Sequence, residues 1–287
     1  MAYADLHVHT TASDGAFSPA EIVEKAKAAG LSCVAITDHD RVEGIAEALD
    51  AGERLSMKVI PGVELSTLTQ NEEKVREFHI LGYFIDWKDE SLISFLNEIV
   101  DSRKNRAVRM VEKLNALGYD IAITRVRQIA DGAFIGRPHI AQALLEKGYV
   151  SNTADAFSDD LIGKGGKAYA ERMKVTPKEA IDRIVDLGGV PVLAHPGFLP
   201  DRTVCTREEI DYLIQHGIKG IETEYSMHTP EQIDEYTALA RENDLLITGG
   251  TDFHGGATFP DIHIGSTGVD EAAIEALEAA SSRRGQA

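Results

Sequence analysis

The sequence predicts an α/β fold in which repeated strand-then-helix units build a parallel sheet, with one helical segment inserted. Three observations predict it. Short β-branched and apolar runs alternate with longer amphipathic stretches, the rhythm of strands that cross over through helices. Several of those stretches open on a Ser or Thr followed by Pro, with Glu or Gln three residues after the hydroxyl, which is how a helix start is written. One long stretch, 89–175, abandons the rhythm and is helical by period with no convincing strand.

In chain order, the expected strands are Ala4 to Val8, Cys33 to Thr37, Lys58 to Val63, Phe78 to Phe84, Val190 to Ala194, Gly220 to Glu224 and Leu245 to Gly249. The firmest helix starts are Ser18-Pro19 with Glu21, Thr176-Pro177 with Glu179, and Thr229-Pro230 with Gln232. Each combines an N-cap, a proline whose missing N–H costs nothing at the first position, and a capping-box partner. Gly30, Gly118, Gly148 and Gly188 each follow a periodic run, where a helix ends in the left-handed region. The chain thus reads as a strand-and-helix portion, 1–88 with 176–287, and a helical insertion, 89–175, that includes the loop-like GKGGKAYA. The final SSRRGQA reads as a frayed tail.

The 287 residues are 43% hydrophobic, enough for a sizeable core. No run approaches the roughly 18 apolar residues of a membrane span, and the start has no basic segment leading into an apolar one. No membrane association is therefore expected. Two cysteines, Cys33 and Cys205, are too few for a disulfide framework, so a reducing cytoplasm is the expected setting. A net charge of -18 excludes the long basic track that duplex nucleic acid requires. Small anions remain accessible through local arginines and bound cations, because an ion's own charge dominates its pocket.

The chemistry lies at the strand ends. His7 and His9 are two apart in a strand-like run, so both imidazoles point to one face. Asp14 follows one short loop later. The second strand ends in Thr37-Asp38-His39-Asp40, the third in Pro61-Gly62-Val63-Glu64, the fourth opens around His79, the fifth ends in Ala194-His195, and a late one in Thr251-Asp252-Phe253-His254. In a closed parallel barrel such ends converge on one rim. Six histidines and three carboxylates placed this way need shared partners, since unpaired buried charges cost several kcal/mol each. Divalent cations would supply one partner for all of them, and nitrogen and oxygen donors without thiolate suit Mn²⁺ first, with Zn²⁺ or Fe²⁺ next. Asp38 and Asp40 could orient the His39 ring, or be ordinary turn aspartates.

The motifs DLHVHT, SDG, ITDHD, GVELS, HILGY, LAHPG and GGTDFH, spread from Asp5 to His254, resemble the PHP (polymerase and histidinol phosphatase) family of the amidohydrolase superfamily. The resemblance implies a distorted (β/α)7 barrel holding two or three metals that hydrolyse phosphate esters, with the insertion capping the active site. It implies one metal on His7, His9, Glu64 and Asp252, a second sharing Glu64 and adding His79 and His195, and a third on Asp14, His39 and His254. These nine would be both the metal-holding and the catalytic residues.

Phosphate monoesters resist an anionic nucleophile, and paired cations answer this by binding phosphoryl oxygens and lowering the pKa of a bridging water; a metal-activated hydroxide is the expected nucleophile. His228 is a candidate proton donor to the leaving group, or a loop histidine in solvent. In the insertion, Arg103 and Arg106 share a helix face, while Arg137 and His139 stand at a helix start; a second phosphate could dock on them, or the arginines could be solvated surface charges. Lys164 and Lys167 are weaker candidates.

Within the family, the helical insertion and the NR…GRPH pattern resemble the 3′,5′-nucleotide bisphosphate phosphatases, implying a small nucleotide substrate such as adenosine 3′,5′-bisphosphate, converted to AMP and phosphate. Alternatives are 5′-3′ exoribonuclease action on short RNA and another small-ester phosphatase such as histidinol phosphatase. Two further classes are a C–N amidohydrolase, which commonly bridges its metals with a carboxylated lysine where Glu64 stands here, and a regulator that binds metal or nucleotide without turnover.

Overall fold

A computed structural model describes residues 3–69, 76–130, 135–171, 173–200, 202–255 and 261–282, without the side chains of Arg103 and Lys104. In chain order the elements are β1 (Ala4–Asp5), α1 (Pro19–Ala28), β2 (Cys33–Ile36), α2 (Ile45–Leu55), β3 (Lys58–Leu68), β4 (Glu77–Tyr83), α3 (Glu90–Ala116), α4 (Ile123–Ala130), α5 (Arg137–Glu146), a 3-10 turn (Thr153–Phe157), α6 (Pro177–Asp186), β5 (Val190–Leu193), α7 (Arg207–Gln215), β6 (Gly220–Tyr225), α8 (Pro230–Glu242), β7 (Leu246–Gly250) and α9 (Glu271–Ala280). Among the described residues, none of these helices is long and apolar enough to cross a membrane.

The chain divides into two compact units, 1–93 with 174–287 and 94–173. In the first, the seven strands form one sheet in sequence order. The two ends of this sheet meet, because the backbone N–H of Leu6 donates to the Gly249 carbonyl at 3.1 Å and His9 N–H to Phe253 at 3.0 Å. The sheet is therefore a nearly closed barrel of seven strands with helices in the crossovers, as the motifs imply.

One strand departs from the expected parallel pattern. β1, β2 and β3 run parallel, and so do β5, β6 and β7, but β4 is antiparallel to both of its neighbours. Chain length explains it, because a parallel crossover needs about a dozen residues or more and only eight positions separate Leu68 from Glu77. The reversal has a functional result: the first residues of β4 lie at the same rim as the last residues of the other strands. β3 is also longer than expected, reaching Leu68, while β1 keeps regular pairing only over Ala4–Asp5 before Val8 rejoins through a bridge to Phe253.

Local signals form as written. Ser18, Thr176 and Thr229 each cap a helix through their side chains, and their backbone N–H groups donate the reciprocal bond to the side-chain oxygens of Glu21, Glu179 and Gln232. The four helix-ending glycines have φ of 84° (Gly30), 92° (Gly118), 71° (Gly148) and 75° (Gly188), where a Cβ would be strained. A further box, absent from the expected set because no proline follows it, joins Thr206 to Glu209 at the start of α7. Glu209 also binds the buried Arg76 guanidinium at 2.8 Å. Thr206→Ala should lower stability by about 1 kcal/mol in a urea titration, and an unchanged midpoint would show that Glu209 alone suffices.

The barrel core gathers Leu6, Ala35, Ile60, Leu81, Tyr83 and Val192, all buried. The second unit has its own core of Met110, Leu114, Val126, Ile140, Leu144 and Ile162, and no strand among its described residues. Cys33 and Cys205 are buried free thiols; burial pushes Cys33 up to about 12.

Candidate metal centre

Glu64, midway along β3, is fully buried, and the site is built around its carboxylate. Oε2 lies 3.2 Å from His7 Nε2, 3.2 Å from His9 Nε2 and 3.0 Å from His39 Nδ1. Oε1 faces the other way, 2.8 Å from His79 Nδ1 and 3.1 Å from His195 Nε2. The reversed β4 makes the second set available, since His79 sits opposite Ser66 one alternation beyond Glu64. Asp252 Oδ1 approaches His9 Nε2 at 3.0 Å and His7 Nε2 at 3.4 Å. Asp14 Oδ1 stands 3.4 Å from His254 Nε2 and 3.6 Å from His9 Nδ1. All nine strand-end residues singled out in the sequence thus meet in one place.

Three groups of donor atoms in this cluster could each hold a cation, with all atoms of a group within 4.8 Å of one another: His7, His9, Glu64 and Asp252; His9, Asp14, His39 and His254; and His39, Glu64 and His79. The grouping differs from the sequence expectation in two respects: His9 and His39 each stand in two groups, and His195, expected beside Glu64 and His79, falls in none of the three, although its Nε2 lies 3.1 Å from Glu64 Oε1. The His9 and His39 rings are adjacent, 4.5 Å between centroids, so either can face two neighbouring positions.

The fit to cations is visible in the hydrogen bonding. His7 Nε2, both ring nitrogens of His9, His39 Nδ1, His195 Nδ1, Glu64 Oε2 and Asp252 Oδ1 are buried without a hydrogen bond. Such atoms are rare in folded proteins because each has given up water for nothing. Apart from His195 Nδ1, whose ring faces Glu64 through Nε2, these atoms gather at Glu64 Oε2 and beside Asp14, which is the donor set of a metal site and not of a packed core. The electrostatics agree. Burial alone would neutralise Glu64 and Asp252, yet the surrounding imidazoles hold both well below the usual carboxylate range, and Asp14 likewise. Burial pulls His9 down, but its contacts with Asp252 and Glu64 outweigh this and raise it to about 10, whereas burial wins at His39, lowering it to about 3. The carboxylates thus stay anionic and draw cationic charge, and metal uptake would displace protons from the histidines.

The surroundings hold residues that the sequence reading did not single out. Glu222 and Tyr225 on β6 contact three of the nine. Asp5 ties the barrel seam, accepting from Thr251 N–H at 2.9 Å, Thr251 Oγ1 at 2.7 Å and Gly265 N–H at 2.9 Å; burial raises its pKa to about 6. Asp38 does not orient His39. It accepts from Thr10 N–H and Thr10 Oγ1, both at 2.8 Å, and from Ser13 Oγ at 2.5 Å, so it fixes the loop that carries Asp14. Asp40 accepts from the Ser66 N–H at 3.1 Å. A carboxylate within a predicted strand, in GIETEY, was the available signal for Glu222, and Glu224 two residues on carries the same signal.

His228 matches neither expected reading. It is buried, its Nδ1 bonds the Thr223 carbonyl at 2.8 Å, and its Nε2 accepts from Gly197 N–H at 3.0 Å. With one nitrogen donating and the other accepting, the ring is a neutral structural link, and burial holds its pKa down. Its one ring proton is held by the Thr223 carbonyl, which does not fit the role of proton donor to a leaving group.

In the second unit, the Arg106 Nε donates to the Ala170 carbonyl at 2.7 Å and its guanidinium lies 5.1 Å from the Tyr169 ring centre. Arg137 lies 5.3 Å from Phe157 and 5.9 Å from Tyr169, and both arginines line one small cavity with Met110, Gly136 and Ile140. His139 Nδ1 accepts from the Gly136 N–H at 3.0 Å and so caps α5. The Arg103 side chain lies outside the described residues. Lys167 pairs with Asp160 at 2.6 Å.

Filling the centre should stabilise the fold. With Mn²⁺ at a hundredfold excess over its Kd, about 2.7 kcal/mol is expected, a rise in Tm of roughly 5–10 °C over EDTA-treated protein. Identical melting curves would remove the metal reading.

Comparison with known proteins accords with this geometry. The model of the PHP domain matches residues 5–189. The chain is 34% identical over 252 residues to the 5′-3′ exoribonuclease Rnm of Escherichia coli, covering 87% of this chain and 84% of that one. It is 33% identical over 257 residues to the 3′,5′-nucleoside bisphosphate phosphatase of Chromobacterium violaceum, covering 88% of each. A crystal structure from Bifidobacterium adolescentis, assigned as a metal-dependent phosphoesterase, superposes with a TM-score of 0.76 at 31% identity, covering 97% of this chain and 96% of that one. The chain belongs to the PHP domain family and is one of its metal-dependent phosphoesterases.

Proposed function

We propose that this phosphoesterase removes the 3′-phosphate of 3′,5′-nucleotide bisphosphates, adenosine 3′,5′-bisphosphate among them, holding two or three cations, Mn²⁺ first, on His7, His9, Asp14, His39, Glu64, His79, His195, Asp252 and His254. The observation that carries the hydrolytic part is the convergence of buried, unbonded nitrogen and oxygen atoms on Oε2 of the Glu64 carboxylate, while its Oε1 faces the His79 and His195 rings. When bound, the cations supply positive charge to the phosphoryl oxygens and a hydroxide nucleophile at neutral pH. The protein's part is placement. Glu64 presents one oxygen to each side, so it serves two positions at once, and Asp252 and Asp14 bring further negative charge that matches the cations.

The choice of substrate rests on Arg106 and Arg137, two guanidinium groups lining one cavity, each beside an aromatic ring. A planar guanidinium suits phosphate, and the rings fix its plane. We assign the second phosphate to this pair, with Arg103 as a neighbour in sequence; His139 acts through α5, whose first turn it caps. The resemblance to the bisphosphate phosphatase of C. violaceum supports this reading. A second reading, 5′-3′ trimming of short RNA, is favoured by the comparable identity to the E. coli exoribonuclease. A net charge of -18 favours a mononucleotide or short oligomer in either case. Two buried free thiols suit a cytoplasmic enzyme.

The test is a turnover screen of Mn²⁺-loaded protein against nucleoside 3′,5′-bisphosphates, histidinol phosphate and short oligoribonucleotides. The highest kcat/KM is expected for the bisphosphates. Preference for oligonucleotides would replace the first reading by the second, and preference for histidinol phosphate would remove both.

A further inference from the structure

β6 supplies none of the nine donors, yet two of its side chains touch three of them. The buried Glu222 carboxylate lies 3.1 Å from His7 Nδ1 through Oε1 and accepts the backbone N–H of His195 at 2.8 Å through Oε2. The Tyr225 hydroxyl donates to Asp252 Oδ2 at 3.1 Å. Glu222 and Tyr225 are three apart, and in a regular strand residues three apart point to opposite faces. Here the pairing of β6 with β7 slips between Glu222 and Glu224: Glu222 stands opposite Thr248 and Glu224 opposite the next residue, Gly249. The extra residue, Thr223, is a bulge, and it resets the alternation so that both side chains face the donor cluster.

Each contact governs an atom that a cation needs. A proton on His7 Nδ1, held by Glu222, leaves the Nε2 lone pair pointing at Glu64 and Asp252. His195 has a φ of +28°, outside the regions that a side chain ordinarily tolerates, and the Glu222 bond to its N–H holds that strained turn in place. Tyr225 occupies the second oxygen of Asp252, leaving Oδ1, the atom near His7 and His9, for the cation. The buried Oδ1 makes no hydrogen bond of its own.

We propose that the bulged strand β6 is the positioning strand of the metal centre: Glu222 sets His7 and His195, which lie on opposite sides of Glu64, and Tyr225 sets Asp252. This inference rests on the reading that the cluster binds cations. Glu222 couples the two sides because one carboxylate serves both, so a single change there should weaken both positions together. Glu222→Gln is informative because it removes the charge and leaves one acceptor oxygen where the carboxylate has two: an amide oxygen at the Oε2 place keeps His195 N–H but leaves His7 Nδ1 only the longer 3.3 Å contact beside an N–H donor, and the flipped amide loses the His195 bond.

The experiment is a calorimetric titration of metal-free protein with Mn²⁺, run on wild type, Glu222→Gln and Tyr225→Phe, with Tm of the metal-free forms measured alongside. Expected is a 10–100-fold weaker Mn²⁺ affinity for Glu222→Gln, of the order seen for outer-shell partners, and a weakening of roughly tenfold for Tyr225→Phe confined to one class of site. A merely structural role would lower Tm while leaving the Mn²⁺ affinity of the folded protein within twofold of wild type, and that result overturns the proposal. If Glu222→Gln does not fold, Tyr225→Phe decides, since it deletes one hydroxyl from a ring that stays packed. Wild type that takes up no Mn²⁺ would remove the metal reading itself, an outcome distinct from wild-type uptake matched by both variants.

Discussion

Glu64→Gln is expected to lower turnover on a chromogenic phosphate ester by about a thousandfold or more and to reduce Mn²⁺ stoichiometry. Five imidazoles face this one carboxylate, three at Oε2 and two at Oε1, at 2.8–3.2 Å. The amide keeps the shape of the side chain and removes its charge. It also turns one of the two oxygens into an N–H donor, which repels a cation at whichever side it faces. Because Glu64 is fully buried, no water can replace the lost acceptor. Metal content by elemental analysis and kcat at saturating ester check the prediction together. Activity within tenfold of wild type, with metal content unchanged, would mean that the cluster holds its cations without Glu64 and that the central role assigned to it is mistaken.

The second large effect comes from a residue without a side chain. Gly250 ends β7 where it passes β1, and a Cβ built there would lie 2.4 Å from His7 N, 2.5 Å from His7 Cβ and 2.9 Å from His7 Cα. Two of these three atoms are backbone and the third is fixed to it, so no rotamer change relieves the overlap. Either the seam between Leu6 and Gly249 opens or His7 moves off its position. Gly250→Ala should therefore cost about 2 kcal/mol of stability, within the range for overpacked sites, and weaken Mn²⁺ binding as well. Urea unfolding of the metal-free protein measures the first effect and Mn²⁺ titration the second. Wild-type behaviour in both would show that the two strands separate freely at this point, contrary to a closed barrel.

The two effects are distinguishable by their balance. Glu64→Gln should act on metal and turnover far more than on the metal-free fold, whereas Gly250→Ala should act on both. The contrast follows from what each residue supplies: Glu64 supplies charge to an ion, Gly250 supplies the space that lets β1 and β7 pair.

Much of the barrel was legible along the chain. The Ser18, Thr176 and Thr229 boxes were readable because a cap is settled within four residues, and the glycines at 30, 118, 148 and 188 because a left-handed turn excludes most other side chains. His7 and His9 could be set on one face from the two-residue alternation alone. The reversal of β4 was present in the eight-residue spacing after Leu68, but as a length argument that needed the strand's true end, five residues beyond Val63. His228 was ambiguous for the opposite reason: nothing near it in sequence shows that Gly197 N–H and the Thr223 carbonyl occupy both of its nitrogens.

The sequence by itself determined the donor types, their positions at strand ends, and the local geometry that starts and stops each helix. Only the tertiary structure decided which donors stand together, that His9 and His39 each face two groups, and that Glu222, 215 residues from His7, holds its ring. The physical reason is range. Caps, turns and strand alternation are fixed by backbone sterics and hydrogen bonds over a few residues, whereas register, a bulge and the meeting of β1 with β7 are set by packing the whole barrel at once.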